Sequence, residues 1–290
     1  MKNHKLILIS ILLIAVVSAC SAGHSDQAQT DIPQATVTPT EEPMAVRVNG
    51  TGITIVEFQN EQLRLQDANT VLNEGLSESE QMDLVLSELV GQVLLAQGAA
   101  QEGYSVDGGD LQAHIDGLIA DVGGSDQFMN WLQTNHYDEM GFRATLSRQL
   151  AAAWMRDKIT AAVPTTATQV HARQILVSDR ATADSIYQQL QAGTDFATLA
   201  ATYDPTTSGD LGWFPRDYLY QQAVEDAAFS LSAGQYSAVI ETDYGYHIVQ
   251  VIERSDTQPL STDALHMLQE RALQDWLDAR WAASTIDVLI

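Results

Sequence analysis

From Thr54 to Val163 apolar residues recur at steps of three and four, and elsewhere short stretches alternate, so the chain reads as helices with a few strands. Met82, Val85, Leu86, Leu89, Val90, Val93 and Leu94 make the longest stripe, and Gly103 is placed to end it. Phe58, Leu63 and Leu65 mark an earlier helix. Leu111, Ile115, Leu118, Ile119 and Val122 mark a later one, stopped by Gly123-Gly124. Phe128, Trp131 and Leu132 belong to a short fourth helix, and Phe142, Leu146, Leu150 and Trp154 to a long fifth one before Pro164. Thr54–Glu57 and Ser77–Glu80 both have the spacing of a capping box. Ala45–Gly50 predicts a short strand and turn. Five stripes in one region suffice for a core.

After Pro164 the period changes. Thr165–Gln169 is polar and reads as a linker. Val170–Val177 alternates as a strand, and Ala183, Ile186 and Leu190 predict a helix ended by Gly193. Phe196, Leu199 and Ala200 predict another helix, and Tyr244–Ile252 a strand rich in β-branched and aromatic residues. Ser255–Pro259 is a second soft stretch. Leu265, Leu268, Leu273, Trp276 and Leu277 then restore a helical stripe, and Ser284–Ile290 alternates. A lone helix and strand have no core of their own. They are expected to return to the first region, the strand beside Val46–Val48.

The beginning of the chain changes the picture. Lys2 and Lys5 precede an apolar run from Leu6 to Val17, followed by Val17-Ser18-Ala19-Cys20. This run falls short of the ~20 residues of a spanning helix and has the layout of a cleaved secretory leader. The small residues before Cys20 resemble a bacterial lipobox, which implies lipidation at Cys20. That cysteine is the only one in the chain, so no disulfide framework or cysteine-ligated metal site exists. Ser21–Pro43 is polar and poor in large apolar residues, the composition of a disordered tether.

Charge narrows the partners. Fourteen Lys and Arg stand against 38 Asp and Glu, a net charge of −24. Nucleic acid and anionic lipid require basic surface, so neither is a principal ligand. Asp107-Gly108-Gly109-Asp110 lacks the alternating ligands and distal Glu of a calcium loop, and the histidines show no metal-binding spacing. No metal and no cofactor are expected.

The motifs VHARQILVSD, SGDLGWFPRDY, VEDAAFSL and SAGQYSAVIETDYGYHIVQVIE follow one another between Val170 and Glu253. In that order they resemble the parvulin family of peptidyl-prolyl cis-trans isomerases. The stretch VNGTGITIVEFQ resembles the start of the chaperone region of the SurA and PrsA type. Together these imply an α+β protein: a SurA-N-like helical domain completed by a C-terminal helix, with an inserted parvulin (FKBP-like) domain on a four-stranded antiparallel sheet. The expected divisions are a signal peptide over 1–19, a tether over 20–43 and a helical domain over 44–164. An isomerase domain over 165–256 and a returning helix and strand over 257–290 complete the chain.

The resemblance implies catalysis by His247, with Thr242 holding it, Gln174 where the family usually has a first-strand histidine, and Asp204 at the acidic loop position. Leu211, Leu219, Val224 and Phe229 correspond to the proline-binding wall. His171 does not replace the missing histidine, because three residues along a strand place it on the opposite face. Ser178-Asp179-Arg180 lacks the basic cluster of phosphate-directed members. The implied function is isomerisation of X-Pro bonds in unfolded or partly folded exported polypeptides, by a lipoprotein on the outer face of the cell membrane. The alternative is a holdase chaperone lipoprotein whose inactive or weakly active parvulin domain is used for peptide binding, a reading prompted by Gln174 and the shortened loop after Asp204. Whether the body forms a homodimer is left open.

Overall fold

The computed structural model describes residues 42–72 and 75–290. In chain order the elements are β1 (Met44–Val48), β2 (Thr51–Thr54), α1 (Ile55–Leu72), α2 (Glu78–Gln101), α3 (Gly108–Asp121), α4 (Ser125–Thr134) and α5 (Glu139–Ala161). Then come β3 (Thr166–Val177), α6 (Arg180–Gln191), α7 (Phe196–Tyr203), β4 (Asp210–Pro215), α8 (Gln222–Ser230), β5 (Ile240–Thr242), β6 (Gly245–Pro259), α9 (Thr262–Ala282) and β7 (Ile286–Val288). Cys20, its leader and the tether up to residue 41 lie outside the described residues. The described part divides into two compact units, one running to Asp157 and joined by Trp276–Ile290, the other Lys158–Asp275.

The first unit is helical with a small sheet ordered β2-β1-β7. Asn49 and Gly50 both take positive φ, 52° and 85°, the two-residue hairpin turn for which Asn-Gly is suited. Asn49 then ties down the far end of the chain. Its Oδ1 accepts from the Thr285 N–H at 3.0 Å, and its Nδ2 donates to Ser284 Oγ at 3.0 Å. That clamp sets β7 antiparallel to β1, with Val46 opposite Val288 and Val48 opposite Ile286. Trp276 from α9 lies against Gly98 of α2, where an added Cβ would stand 2.7 Å from its ring.

The helix signals differ in outcome. Ser77 and Glu80 close a reciprocal capping box on α2. At α1 only half forms: the Glu57 N–H donates to Thr54 Oγ1 at 3.1 Å, while the Glu57 carboxylate pairs with Arg148. Val85, Leu89, Val90, Val93 and Leu94 are buried as the stripe requires, but Met82 near the start of the helix is exposed.

The second unit holds a four-stranded antiparallel sheet ordered β4-β3-β6-β5. Alternation along its two long central strands separates two cores. Val170, Ala172, Val249 and Val251 pack under α8 with Phe214, Val224 and Ala228. Ile175 and Ile248 face α6 and α7 with Ile186, Leu190, Phe196 and Leu199.

Both stretches read as soft connections are strand instead. Thr166 pairs with Pro259, Ala167 with Gln258 and Gln169 with Ser255, which extends the sheet into a two-stranded ribbon. Gln169 is only 1% exposed, and its amide donates to the Gln258 and Pro259 carbonyls at 2.8 and 3.1 Å. Leu260 N–H adds a bond to the Thr165 carbonyl at 2.9 Å. Thr257–Pro259 therefore belong to the second unit, and the chain re-enters the first unit at Trp276.

Candidate active site

The sheet face under α8 carries the candidate groups. Gln174 follows Val170 and Ala172 on that face, and His247 precedes Val249 and Val251 on the neighbouring strand. His247 is 3% exposed. Its Nδ1 lies 2.8 Å from Gln174 Oε1, and its Nε2 lies 2.8 Å from Thr242 Oγ1. An amide oxygen only accepts, so Nδ1–H donates to Gln174 and Nε2 accepts from the Thr242 hydroxyl. Thr242 in turn accepts from the Tyr244 N–H at 3.1 Å. Burial pushes the imidazole below its ordinary range and keeps it neutral at physiological pH.

Thr242, His247 and Gln174 thus form one polar chain with a fixed direction. The chain leaves the amide N–H groups of Gln174 for other partners. Beside it is a depression of about 270 Å³ lined by Gln174, Leu176, Tyr203, Asp204, Gly209 and Leu211, among others. It is slightly smaller than the ~300–1,000 Å³ of small-molecule pockets.

Asp204 stands at the rim of this depression, but its carboxylate is occupied. It accepts from the N–H groups of Thr206, Thr207 and Gly209 at 3.1, 3.2 and 3.2 Å and from the Thr207 hydroxyl. These bonds, the Thr207 hydroxyl foremost, hold its carboxyl below the usual range. Its visible work is to shape the loop. Gly209, at φ +69°, passes so close to β3 that an added Cβ would lie 1.9 Å from the Gln174 carbonyl oxygen. The same loop accepts the Gln174 N–H through the Gly209 carbonyl at 2.8 Å.

The four expected wall residues divide. Leu211 lines the depression. Leu219 and Phe229 are partly buried against the core under α8, away from that lining. Val224 is 2% exposed and sits within that core, so it supports the wall from beneath and does not present a surface to a ligand. His171 bonds Asp210 at 2.9 Å and lies by Trp213, as its place on the other face requires.

Glu225 was not foreseen. It is fully buried in α8 and accepts from the N–H groups of Asp217, Tyr218 and Leu219 at 2.8, 2.9 and 3.0 Å. Glutamate within VEDAAFSL carries the signal of a solvated helix face; only the loop bending back over α8 makes it an anchor. Among the described residues no group of three or more His, Cys, Asp or Glu could hold a metal ion, and no helix is long and apolar enough to cross a membrane.

Residues 158–255 match the PPIC-type PPIASE domain family, and residues 1–156 match the SurA-like N-terminal domain family. The foldase protein PrsA of Geobacillus sp. (strain WCH70) is 37% identical over 127 residues, 42% of this chain and 45% of that protein. The foldase protein PrsA 4 of Bacillus cereus is 24% identical over 293 residues, 95% of this chain and 88% of that protein. The match spans less than half the length of the Geobacillus protein and 28% of the foldase protein PrsA of Caldanaerobacter subterraneus, which is 46% identical over 86 residues. A crystal structure of the peptidylprolyl isomerase PrsA from Bacillus cereus has a TM-score of 0.44 at 23% identity, covering 83% of this chain and 86% of that one.

Proposed function

The chain belongs to the family defined by a SurA-like N-terminal domain, and on that premise we propose that it is a parvulin-type peptidyl-prolyl cis-trans isomerase assisting the folding of exported polypeptides. The observation that carries this reading is the Thr242–His247–Gln174 chain beside the depression. Rotation about an X–Pro bond has a barrier of roughly 18–20 kcal/mol. Raising an unaided ~0.01–0.1 per second to ~100 per second requires only about 4–5.5 kcal/mol of selective stabilisation. No nucleophile is called for. Leu211, which lines the depression, offers apolar surface to the proline ring. The neutral imidazole fixes the Gln174 amide so that its N–H groups can favour a twisted peptide bond over a planar one. Thr242 is a positioning residue, since it acts through His247, and Asp204 shapes the rim.

Exchange spectroscopy on an X-Pro peptide tests this. His247→Ala frees the Gln174 amide, and losing one neutral hydrogen bond at ~0.5–1.5 kcal/mol lowers the rate several-fold to about tenfold. Gln174→His is expected to raise it by a similar factor. Full activity of His247→Ala would remove His247 from the site. Absence of any isomerisation by the folded wild-type protein would return the holdase reading, which the PPIC-type match does not favour.

The same reading sets the protein outside the cytoplasm, anchored through a lipid on Cys20. Its support is the sequence: a basic and apolar leader, Val17-Ser18-Ala19, and the only thiol of the chain. Cys20→Ser should move the protein from the membrane fraction to the soluble one in cells that process lipoproteins. Unchanged partitioning would rule the anchor out.

A further inference from the structure

Two tyrosines stand in solvent at the end of the polar chain. Tyr220 is 86% exposed and Tyr244 is 63% exposed. Tyr220 comes from the loop between β4 and α8, and Tyr244 from the turn between β5 and β6. Their rings nevertheless meet edge to face, with centroids 5.7 Å apart. The Tyr220 phenol beside it pushes the Tyr244 hydroxyl up from its ordinary range, with the hydrogen bond between them and the nearby Asp243 adding to the effect.

Both rings hang from backbone that is held firmly. The Tyr244 N–H is bound to Thr242 Oγ1, the hydroxyl that also serves His247. On the other side, Glu225 grips the three residues before Tyr220 through their N–H groups. A buried carboxylate is costly unless its lone pairs are filled, so the loop satisfies the carboxylate and the carboxylate fixes the loop. The arrangement leaves two anchored aromatic surfaces next to the site, with no core to build.

We propose that Tyr220, Tyr244 and Asp243 form a subsite for a lysine or arginine side chain flanking the proline of the client peptide. The inference rests on the isomerase reading above. An edge-to-face pair leaves ring faces open, and the electron-rich face of tyrosine attracts a cation within about 6 Å. Asp243 is exposed beside them and supplies the formal charge that an aromatic or aliphatic client side chain could not use. The neighbouring Arg180 does not fill this role, because Glu241 holds it at 3.2 Å. The net charge of −24 draws basic segments towards the whole body before any local contact is made.

The test compares one X-Pro peptide carrying lysine, norleucine, phenylalanine or glutamate next to the dipeptide. Wild-type protein, Tyr220→Ala, Tyr244→Ala and Asp243→Asn are measured by exchange spectroscopy for kcat/KM, and by fluorescence anisotropy for affinity at low and high salt. The lysine peptide should exceed norleucine several-fold and glutamate should rank last. That lysine advantage should shrink with salt and collapse towards unity in the three variants. Equal treatment of lysine and norleucine, a preference for phenylalanine, or a lysine preference that survives all three variants would overturn the subsite. If the wild type isomerises no peptide, the isomerase reading falls alone. The anisotropy ratios then decide the subsite, supporting it if lysine selectivity disappears in the variants and refuting it if there is none.

Discussion

A single substitution, glutamine for histidine at position 174, fixes the proton of His247. With histidine in both places either ring could donate. With Gln174 Oε1 as acceptor, Nδ1 carries the proton and Nε2 receives the Thr242 hydroxyl. That ordering requires a neutral ring, which gives a prediction in pH. The native imidazole titrates below its ordinary 6.5 because it is buried, whereas in the unfolded chain it titrates near ~6.5. As pH falls through ~6.5 the unfolded state takes up the proton first, so stability that is full above that value declines below it. The decline stops once the native ring is also protonated. The urea midpoint should therefore fall between pH 7 and 5 in the wild type and less steeply in His247→Asn; parallel curves would refute the assignment. Asp179, Asp195 and Asp204, whose carboxyls are lowered chiefly by hydrogen bonds at Thr182, Thr198 and Thr207, add a separate loss only below about pH 4. The partnership of His247 with Thr242 and Gln174 was legible from the resemblance. The burial of Glu225 was not, because it depends on the loop that bends back over α8 rather than on its neighbours in sequence.

Among the elements, signals contained within a few residues were legible and those needing a distant partner were not. The Ser77 box closed because both its members are local. The Thr54 box closed by half because Arg148, far along the chain, claims Glu57. Thr165–Gln169 and Ser255–Pro259 have neither apolar alternation nor turn chemistry. They become strand chiefly through each other, with Gln169 also paired to Pro215, and carbonyls from the second stretch receive the buried Gln169 amide. The loop from Asp204 to Gly209 offers a test at this scale. Gly209→Ala puts a methyl group against the Gln174 carbonyl at a φ that alanine disfavours. A cost of about 2 kcal/mol or more in unfolding free energy is expected, together with loss of isomerase rate as β3 is pushed out of place. A urea midpoint equal to that of the wild type would show that the loop moves aside freely.

For the whole molecule, the helical body with an isomerase domain inserted was legible, because the chaperone-type motif precedes the parvulin motifs and the terminal stripe beyond them needed a partner. The ribbon at the two ends of the sheet was not, since both its stretches are polar. That ribbon has a kinetic consequence. Folding the helical unit on its own means bringing Asp157 and Trp276 together across the whole intervening chain. Once the isomerase unit has folded, Thr165 and Leu260 are hydrogen-bonded neighbours, and a span of roughly ninety residues acts as a closure of a few. The chain left to close falls from roughly 120 residues to about 25, a saving of about 1.4 kcal/mol by the logarithmic dependence of closure entropy on length. The insertion should then fold first and serve as the nucleus for its host, the reverse of what chain order would suggest. Refolding followed separately in the two units should show the helical signal lagging. Gln169→Leu, which unties the ribbon, should slow that signal while leaving the unfolding rate of the helical unit unchanged. A helical unit that refolds before the insertion, at a rate indifferent to position 169, would show that closure is not what limits it.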